Sequence, residues 1–343
     1  MYYSFLLELF ITSKQEHVTM STFKNKKVVV TGADGFIASH LCDYLVSEGA
    51  TVVGLVRRNS SGIFKNISHL ATKIKVVWGD ALDISILTEL TKDTDILYHL
   101  AAQSHVGYSI VNPFETFYNN SIATLNVLEA ARKNNISRLI HAGSSEEYGH
   151  PLKLPITEDH PLLPRSPYAA SKAASDRLAY SYFTSYGLPV VMARFFNIYG
   201  PQQGIEKVIP KFILQVLNNV SPTVYGKGRQ TRDFTYVTDA VKAYSMLGIA
   251  KKIEGKVLNI GYGKEITILE LAQKIITLLA SKIKPSFRDN LRTGETPRLL
   301  CDNTQTKKLL GWKPQIGLES GLKNTIKYYK TKKELYRYLS FAL

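Results

Sequence analysis

Cysteine is nearly absent from this chain: two residues in 343, Cys42 and Cys301. They stand far apart and outside any CxxC or metal-like spacing, which argues against a disulfide framework and fits a reducing, cytoplasmic compartment. HExxH, DxD and cysteine clusters are missing too, and His150 and His160 have no metal-like companions, so no metal is expected. The apolar opening, residues 2–11, contains Glu8 and lacks a basic n-region and a small-residue cleavage site. It is too short to span a bilayer. Residues 1–19 are therefore expected to be an extension outside the fold, with Met20 as the natural start. Repeats and low-complexity tracts are also lacking.

Acidic residues are in short supply, 28 against 43 basic ones, giving a net charge of +15. The lysines are scattered over predicted helices, as in Lys323, Lys327, Lys330, Lys332 and Lys333, with no Arg-rich tail or aromatic interleaving. That pattern reads as a solvated basic face that steers small anionic ligands, not as a nucleic-acid or membrane surface. Hydrophobic content of 45% and charged content of 21% suit a soluble enzyme long enough for two joined lobes.

What is present is a regular alternation of strand and helix patterns. Strands are predicted at Lys27–Val30, Thr51–Val56, Ile74–Trp78, Asp95–Leu100, Arg138–Ala142 and Pro189–Phe195. Helices are predicted at Phe36–Glu48, Ile84–Leu90, Phe114–Lys133 and Tyr168–Tyr186. Alternating βα units of this length predict an α/β fold, a Rossmann-type doubly wound parallel sheet with helices on both faces. Ligands then bind at the carboxyl ends of the strands. Pro201-Gln202-Gln203-Gly204 interrupts the pattern. Beyond it, helices at Val208–Asn219, Ile268–Leu279 and Gly321–Tyr329 and strands at Thr223–Tyr225 and Val257–Asn259 predict a smaller α+β substrate-binding lobe. The expected division is a dinucleotide-binding domain over 20–200 and a substrate lobe over 201–343, interleaved near the C-terminus.

Two signals carry the chemistry. Thr31-Gly32-Ala33-Asp34-Gly35-Phe36-Ile37-Ala38 follows the apolar strand directly, and a glycine turn opening a helix seats a dinucleotide pyrophosphate on the helix N-terminus. Far downstream, Tyr168 and Lys172 stand four residues apart in Ser166-Pro167-Tyr168-Ala169-Ala170-Ser171-Lys172, on one helix face. An ammonium beside the phenol is expected to lower its pKa and make it a usable base. Together these point to hydride chemistry. At the end of the second strand, where a carboxylate about 20 residues beyond the glycines would favour NAD, the chain has Arg57 and Arg58. Two guanidinium groups clasp a 2′-phosphate, so NADP is expected over NAD.

The motifs TGADGFIASH (31–40), YHLAAQSHV (98–106), GSSEEYG (143–149), YAASK (168–172), RFFNIYGPQQ (194–203), TRDFTYVTDA (231–240) and LGWKP (310–314) stand in one order over residues 27–330. They resemble the extended short-chain dehydrogenase/reductase family, in particular its nucleotide-sugar epimerases and dehydratases. Ala38, where a third glycine often sits, is an accepted variant. The resemblance implies that Gly32, Gly35, Phe36 and Ile37 hold the cofactor pyrophosphate, Asp80 and Ala81 meet the adenine, and Leu100, Ala101 and Ala102 line the cofactor cleft. It implies Ser144, Glu146, Tyr168 and Lys172 as the catalytic set. Asn120 would be a structural residue that relays protons, and Ser104, Asn197, Lys211, Tyr225, Arg232 and Arg292 would bind the nucleotide-diphosphate sugar. The loop GLVRRNSSG (54–62) is similar to that of GDP-mannose 4,6-dehydratases, which use NADP.

Glu146 is the discriminating residue, because dehydratases of the family place Glu there to take the C5 proton and epimerases mostly place a small residue. Ser145 stands where dTDP-glucose dehydratases have Asp, so either Glu146 serves as both acid and base or a water assists. The expected activity is an NDP-sugar 4,6-dehydratase, the alternative an NDP-sugar 4-epimerase. Glu147 is expected to point to the opposite face and to be structural, and His105 to be a hydrogen-bonded loop residue. A homodimer through Phe114–Lys133 and Tyr168–Tyr186 is implied by the same resemblance.

Overall fold

The computed structural model describes residues 22–58, 64–289 and 296–332. The proposed start at Met20 and Arg292 lie outside them. The first half runs β1 (Lys27–Thr31), α1 (Phe36–Ser47), β2 (Thr51–Val56), β3 (Lys75–Trp78), α2 (Ile84–Leu90), β4 (Ile96–His99), α3 (Val106–Val111), α4 (Pro113–Phe117) and α5 (Ala123–Lys133). Then come β5 (Arg138–Ser144), α6 (Pro167–Tyr186), β6 (Val190–Phe195), β7 (Asn197–Tyr199), α7 (Val208–Leu217), β8 (Thr223–Tyr225) and β9 (Thr231–Tyr236). The chain closes with α8 (Val237–Ile249), β10 (Val257–Ile260), β11 (Glu265–Thr267), α9 (Ile268–Leu278), β12 (Ser286–Arg288), α10 (Thr304–Leu310) and α11 (Leu318–Thr331).

Seven strands form one sheet in the order β10-β6-β5-β4-β1-β2-β3, every pairing parallel. Side-chain alternation splits it between two apolar layers. Val28 and Val30 pack with Leu41 and Leu45 of α1 and Tyr244 and Leu247 of α8. Val29 turns the other way, to Leu87 of α2, Val127 and Leu128 of α5 and Tyr182 of α6. A third core, built on Phe212, Leu271, Ile275 and Leu322, belongs to α7, α9 and α11 over the small sheet β11-β9-β7 and the pair β12-β8.

Two differences from the sequence expectation concern this second half. Val257–Ile260 is the outer strand of the large sheet, paired with β6, not part of the small lobe. Val237–Ile249, with no predicted helix, covers the same face as α1. Both follow from the need to bury β6 on two sides; the chain returns from the small lobe to do so. The expected single helix 114–133 is interrupted by a π-helical turn at Tyr118–Ile122, which turns the Asn120 side chain inward. Its amide donates to Gln103 O at 3.0 Å and Ser171 Oγ at 2.9 Å and accepts from Gln103 N at 2.7 Å.

The crossing from β6 to β7 makes the cleft, and β9 fixes its small-lobe wall. Arg232 lines the cleft. One residue on, by strand alternation, the fully buried Asp233 points the other way and accepts from the amides of Tyr262 at 2.9 Å, Gly263 at 2.8 Å and Cys301 at 3.1 Å. Replacing Asp233 by Ala strands three amide donors, one buried and two half-buried, each costing about 1–3 kcal/mol. A stability loss of at least about 3 kcal/mol in urea unfolding is expected; a loss under about 1 kcal/mol would mean these amides find other partners.

Candidate active site

The glycine turn between β1 and α1 is shaped by close approach. Gly32 has φ +69°, and a Cβ there would lie 2.9 Å from Ala101 Cα. Gly35 caps α1 with no side-chain bond to the first turn and no acidic residue in it, leaving those N–H groups facing the cleft. Thr31 Oγ1 accepts from Leu100 N at 3.2 Å and Ala101 N at 3.1 Å, tying the end of β4 beside the turn. Gly32, Gly35, Phe36, Ile37, Leu100 and Ala102 line a cleft of about 460 Å³. Ala38 is buried in the α1 core, where only a small residue fits.

Arg57 and Arg58 are exposed at the carboxyl end of β2. Asp34 of the glycine turn fixes the loop beyond them, accepting from the amides of Lys65 at 2.9 Å, Asn66 at 2.7 Å and Ile67 at 3.1 Å. Asp80, after β3, accepts from Leu82 N at 3.0 Å, and Ala81 is buried in the core beneath it. These residues form an outer arm at the ends of β2 and β3.

The chemistry-bearing groups converge at the other end. Ser166 caps α6, its Oγ accepting from Ala169 N at 3.1 Å with Pro167 next, so the helix starts one residue before Tyr168. The Tyr168 phenol is hydrogen-bonded to Ser144, and Ser144, Ser145, Glu146, Tyr168 and Lys172 share one wall. The expected electrostatics are reversed here. Burial pushes the Tyr168 phenol well above its ordinary value, Ser144 opposes this, and Glu146 and Glu147 raise it further. Lys172 is bonded instead to the carbonyl of Ala142, and burial lowers its pKa while Glu147 and Asp176 hold it up. The helical spacing brought the two side chains to one face, but the Ala142 carbonyl engages the ammonium.

On the small-lobe side, Asn197, Lys211, Tyr225 and Arg232 line the cleft, with Lys211 and Arg232 largely buried. Among the described residues, Asn197 Oδ1 and Gln203 Oε1 are buried without hydrogen-bond partners, two acceptors open in a cavity wall. Such groups suit a polyhydroxylated, polar ligand. Ser104 lies at the mouth, its carbonyl accepting from Lys207 Nζ at 2.8 Å. His105 caps α3, its Nδ1 accepting from Tyr108 N at 2.8 Å, a loop role as expected.

Sequence reading missed what lies beneath. Glu147 faces away from the cleft, as expected, but by another route: β5 ends at Ser144, the chain turns in a 3₁₀ helix over Ser145–Tyr148, and Glu147 is carried inside. There it meets Arg194, which also pairs with Asp176. The i, i+4, i+8 series Tyr168, Lys172, Asp176 was the available signal. Among the described residues no group of three metal-ligating side chains occurs and no helix is long and apolar enough to cross a membrane.

The family described as GDP-mannose 4,6 dehydratase matches residues 29–325. The chain is 36% identical over 318 residues to a dTDP-D-glucose 4,6-dehydratase of Bos taurus, covering 89% of each protein. A UDP-N-acetylglucosamine 4-epimerase from Methanobrevibacter ruminantium, solved with UDP-N-acetylmuramic acid, superposes with a TM-score of 0.84 at 36% identity over 90% of this chain and 99% of its own. The dTDP-glucose 4,6-dehydratase DesIV from Streptomyces venezuelae, solved with NAD, gives a TM-score of 0.85 at 30% identity over 91% and 99%. A glycine turn under an uncapped helix, a serine-bonded tyrosine above a buried lysine and this similarity along nearly the whole chain have one reading: the protein belongs to the nucleotide-sugar dehydratase and epimerase group of the extended short-chain dehydrogenase/reductase family.

Proposed function

We propose that this protein is an NDP-sugar 4,6-dehydratase, converting a nucleotide-diphosphate hexose to its 4-keto-6-deoxy derivative. The observation that carries the reading is Glu146, a half-buried carboxylate on the same cleft wall as Ser144 and Tyr168. A bound nicotinamide dinucleotide supplies hydride acceptance and return and, when oxidised, a positive charge. Gly32, Gly35, Phe36 and Ile37 suit its pyrophosphate and Leu100 and Ala102 its inner wall. Arg232 and Lys211 would hold the sugar diphosphate, while the Asn197 and Gln203 amide oxygens would accept from sugar hydroxyls. Tyr168 removes the proton of the sugar 4-hydroxyl, oriented by Ser144. Once C4 is a ketone, the C5–H bond is acidic; Glu146 takes that proton and returns it to the departing C6 hydroxyl, which leaves as water. Ser145 is too weak an acid for that second step.

The 4-epimerase alternative draws support from the equal identity to a solved 4-epimerase. It has no task for Glu146. We expect Glu146→Gln to lower dehydration by roughly 10²-fold or more while reduced cofactor, read at 340 nm, accumulates on mixing with NDP-hexose. Unchanged turnover, or a wild-type product of unaltered mass, would remove Glu146 as the base and favour epimerisation.

For the cofactor, Arg57 and Arg58 at the end of β2 favour the 2′-phosphate of NADP, although DesIV was solved with NAD. Parallel titrations should give tighter NADP binding. Arg57→Ala with Arg58→Ala should weaken NADP by tenfold or more and leave NAD within about twofold, since a charge-assisted bond is worth about 1.5–3 kcal/mol. Tighter NAD binding by the wild type defeats the assignment.

A homodimer is proposed through the outer face of α3, α4 and α6. Val111 is 77% exposed and Phe114 81% on α3 and α4, and Tyr186 is 59% exposed at the far end of α6, apolar side chains that water does not favour. Sedimentation should show a dimer for the wild type and a monomer for Phe114→Glu; a monomeric wild type sinks the idea.

A further inference from the structure

The fully buried Glu147 sits behind the catalytic wall, and the residues around it are cut to receive it. One carboxylate oxygen accepts the Ser144 amide at 2.6 Å, and the other accepts from Arg194 Nε at 3.1 Å. Room for it comes from Gly143: a Cβ there would stand 2.9 Å from Glu147 Oε1. Gly143 therefore has a reason unrelated to backbone conformation, a notch for a charged neighbour. Asp176 completes the arrangement, accepting from Arg194 at 2.9 Å, and Lys172 faces both carboxylates. Glu147 and Asp176 meet Arg194 and Lys172 in a dry pocket, with Arg177 reaching Asp176 from the partly exposed side, and removing the Glu147 charge leaves the buried cations short of a partner.

We propose that Glu147 is a positioning residue for the reaction: bonded to the Ser144 amide on one side and to Arg194 of β6 on the other, it holds the Ser144–Glu146 turn and sets a carboxylate behind Lys172. This rests on the hydride-transfer reading of Tyr168 and Lys172, which dehydratase and epimerase share. The groups facing Glu147 are Arg194 on β6, Lys172 and Asp176 on α6, and Tyr148 on its own turn. Burial and Asp176 push the Glu147 carboxyl up to about 8 against the pull of Arg194 and Lys172, so its full charge is present in the alkaline range. Glu158 lies in the field of Tyr148, and His99 and His141 in that of Lys172. Tyr168 feels the same negative charge. Taking that charge away makes both Lys172 and Tyr168 lose their protons at lower pH.

Glu147→Gln keeps the shape, accepts the Ser144 amide and removes the charge. Competitive acetylation of Lys172, followed by mass spectrometry of its peptide, should show the labelling midpoint moving down by about one pH unit or more relative to wild type. Reduction of bound cofactor on mixing with NDP-hexose should show its acid limb moving the same way. A residue that only packs would change the rate or the melting temperature and leave both midpoints in place; unmoved midpoints overturn the proposal. If Glu147→Gln does not fold, Glu147→Val combined with Gly143→Ala fills the notch with apolar groups and carries the same two measurements. Failure of wild type to reduce cofactor with any NDP-hexose would count against the enzymatic reading, while the acetylation midpoint still judges Glu147.

Discussion

The ion pair between Asp176 and Arg194, 0% and 2% exposed, is the fastening on which the site depends. It ties α6 to β6 from inside, and on the same stripe of α6 Lys172 lies one turn above Asp176 and Tyr168 a further turn above that. Breaking one partner of such a pair costs about 3–5 kcal/mol, so the helix cannot slide or rotate cheaply. The stripe then rises from a dry, ion-paired base to a phenol in the cleft wall. Rigidity at the bottom becomes aim at the top.

The second lobe obeys the same logic with hydrogen bonds in place of ion pairs. Strand β9 turns Asp233 into three backbone amides and Arg232 into the cleft, so one residue's satisfaction fixes its neighbour's direction. Lys207 reaches across to the Ser104 carbonyl, joining the lobes at the mouth. Chain that leaves the large sheet after β6 and returns as β10 prevents the lobes from behaving as beads on a string. A cleft bounded by such crossings changes shape by small shear of its walls more readily than by a free hinge.

Much of this could be read from residues alone, and the reasons are local. The strand–glycine–helix unit at 27–47 and the 166–172 helix start announce themselves by backbone chemistry, because turns, caps and i+4 spacing are short-range facts. The sheet's parallel character followed from alternation. What escaped was set by tertiary packing. Val257–Ile260 looks like any short apolar run, and nothing within it says that it pairs with β6. Val237–Ile249 and the π-turn around Asn120 are likewise chosen by what they cover. Glu147 was expected opposite Glu146 by strand alternation, but past Ser144 the backbone is already helical, and it is the 3₁₀ turn that buries it against Arg194. Arg57 and Arg58 were visible by type, but their exposure adds position without choosing a ligand.

The electrostatics of Tyr168 are the sharpest departure from what spacing suggests, and they have a consequence for how the site works. Burial and two glutamates keep the phenol protonated in the free protein, while the Ala142 carbonyl and the lower carboxylates occupy Lys172. Positive charge entering the cleft beside the phenol would favour the phenolate, because an opposite charge within a few ångströms stabilises the ionised form. The uncapped amides of α1 favour an anion at the far end while the carboxylates at the near end favour a cation. A ligand carrying a pyrophosphate at one end and a cationic ring at the other satisfies both ends at once, and the polarity of the cleft sets which way round it lies.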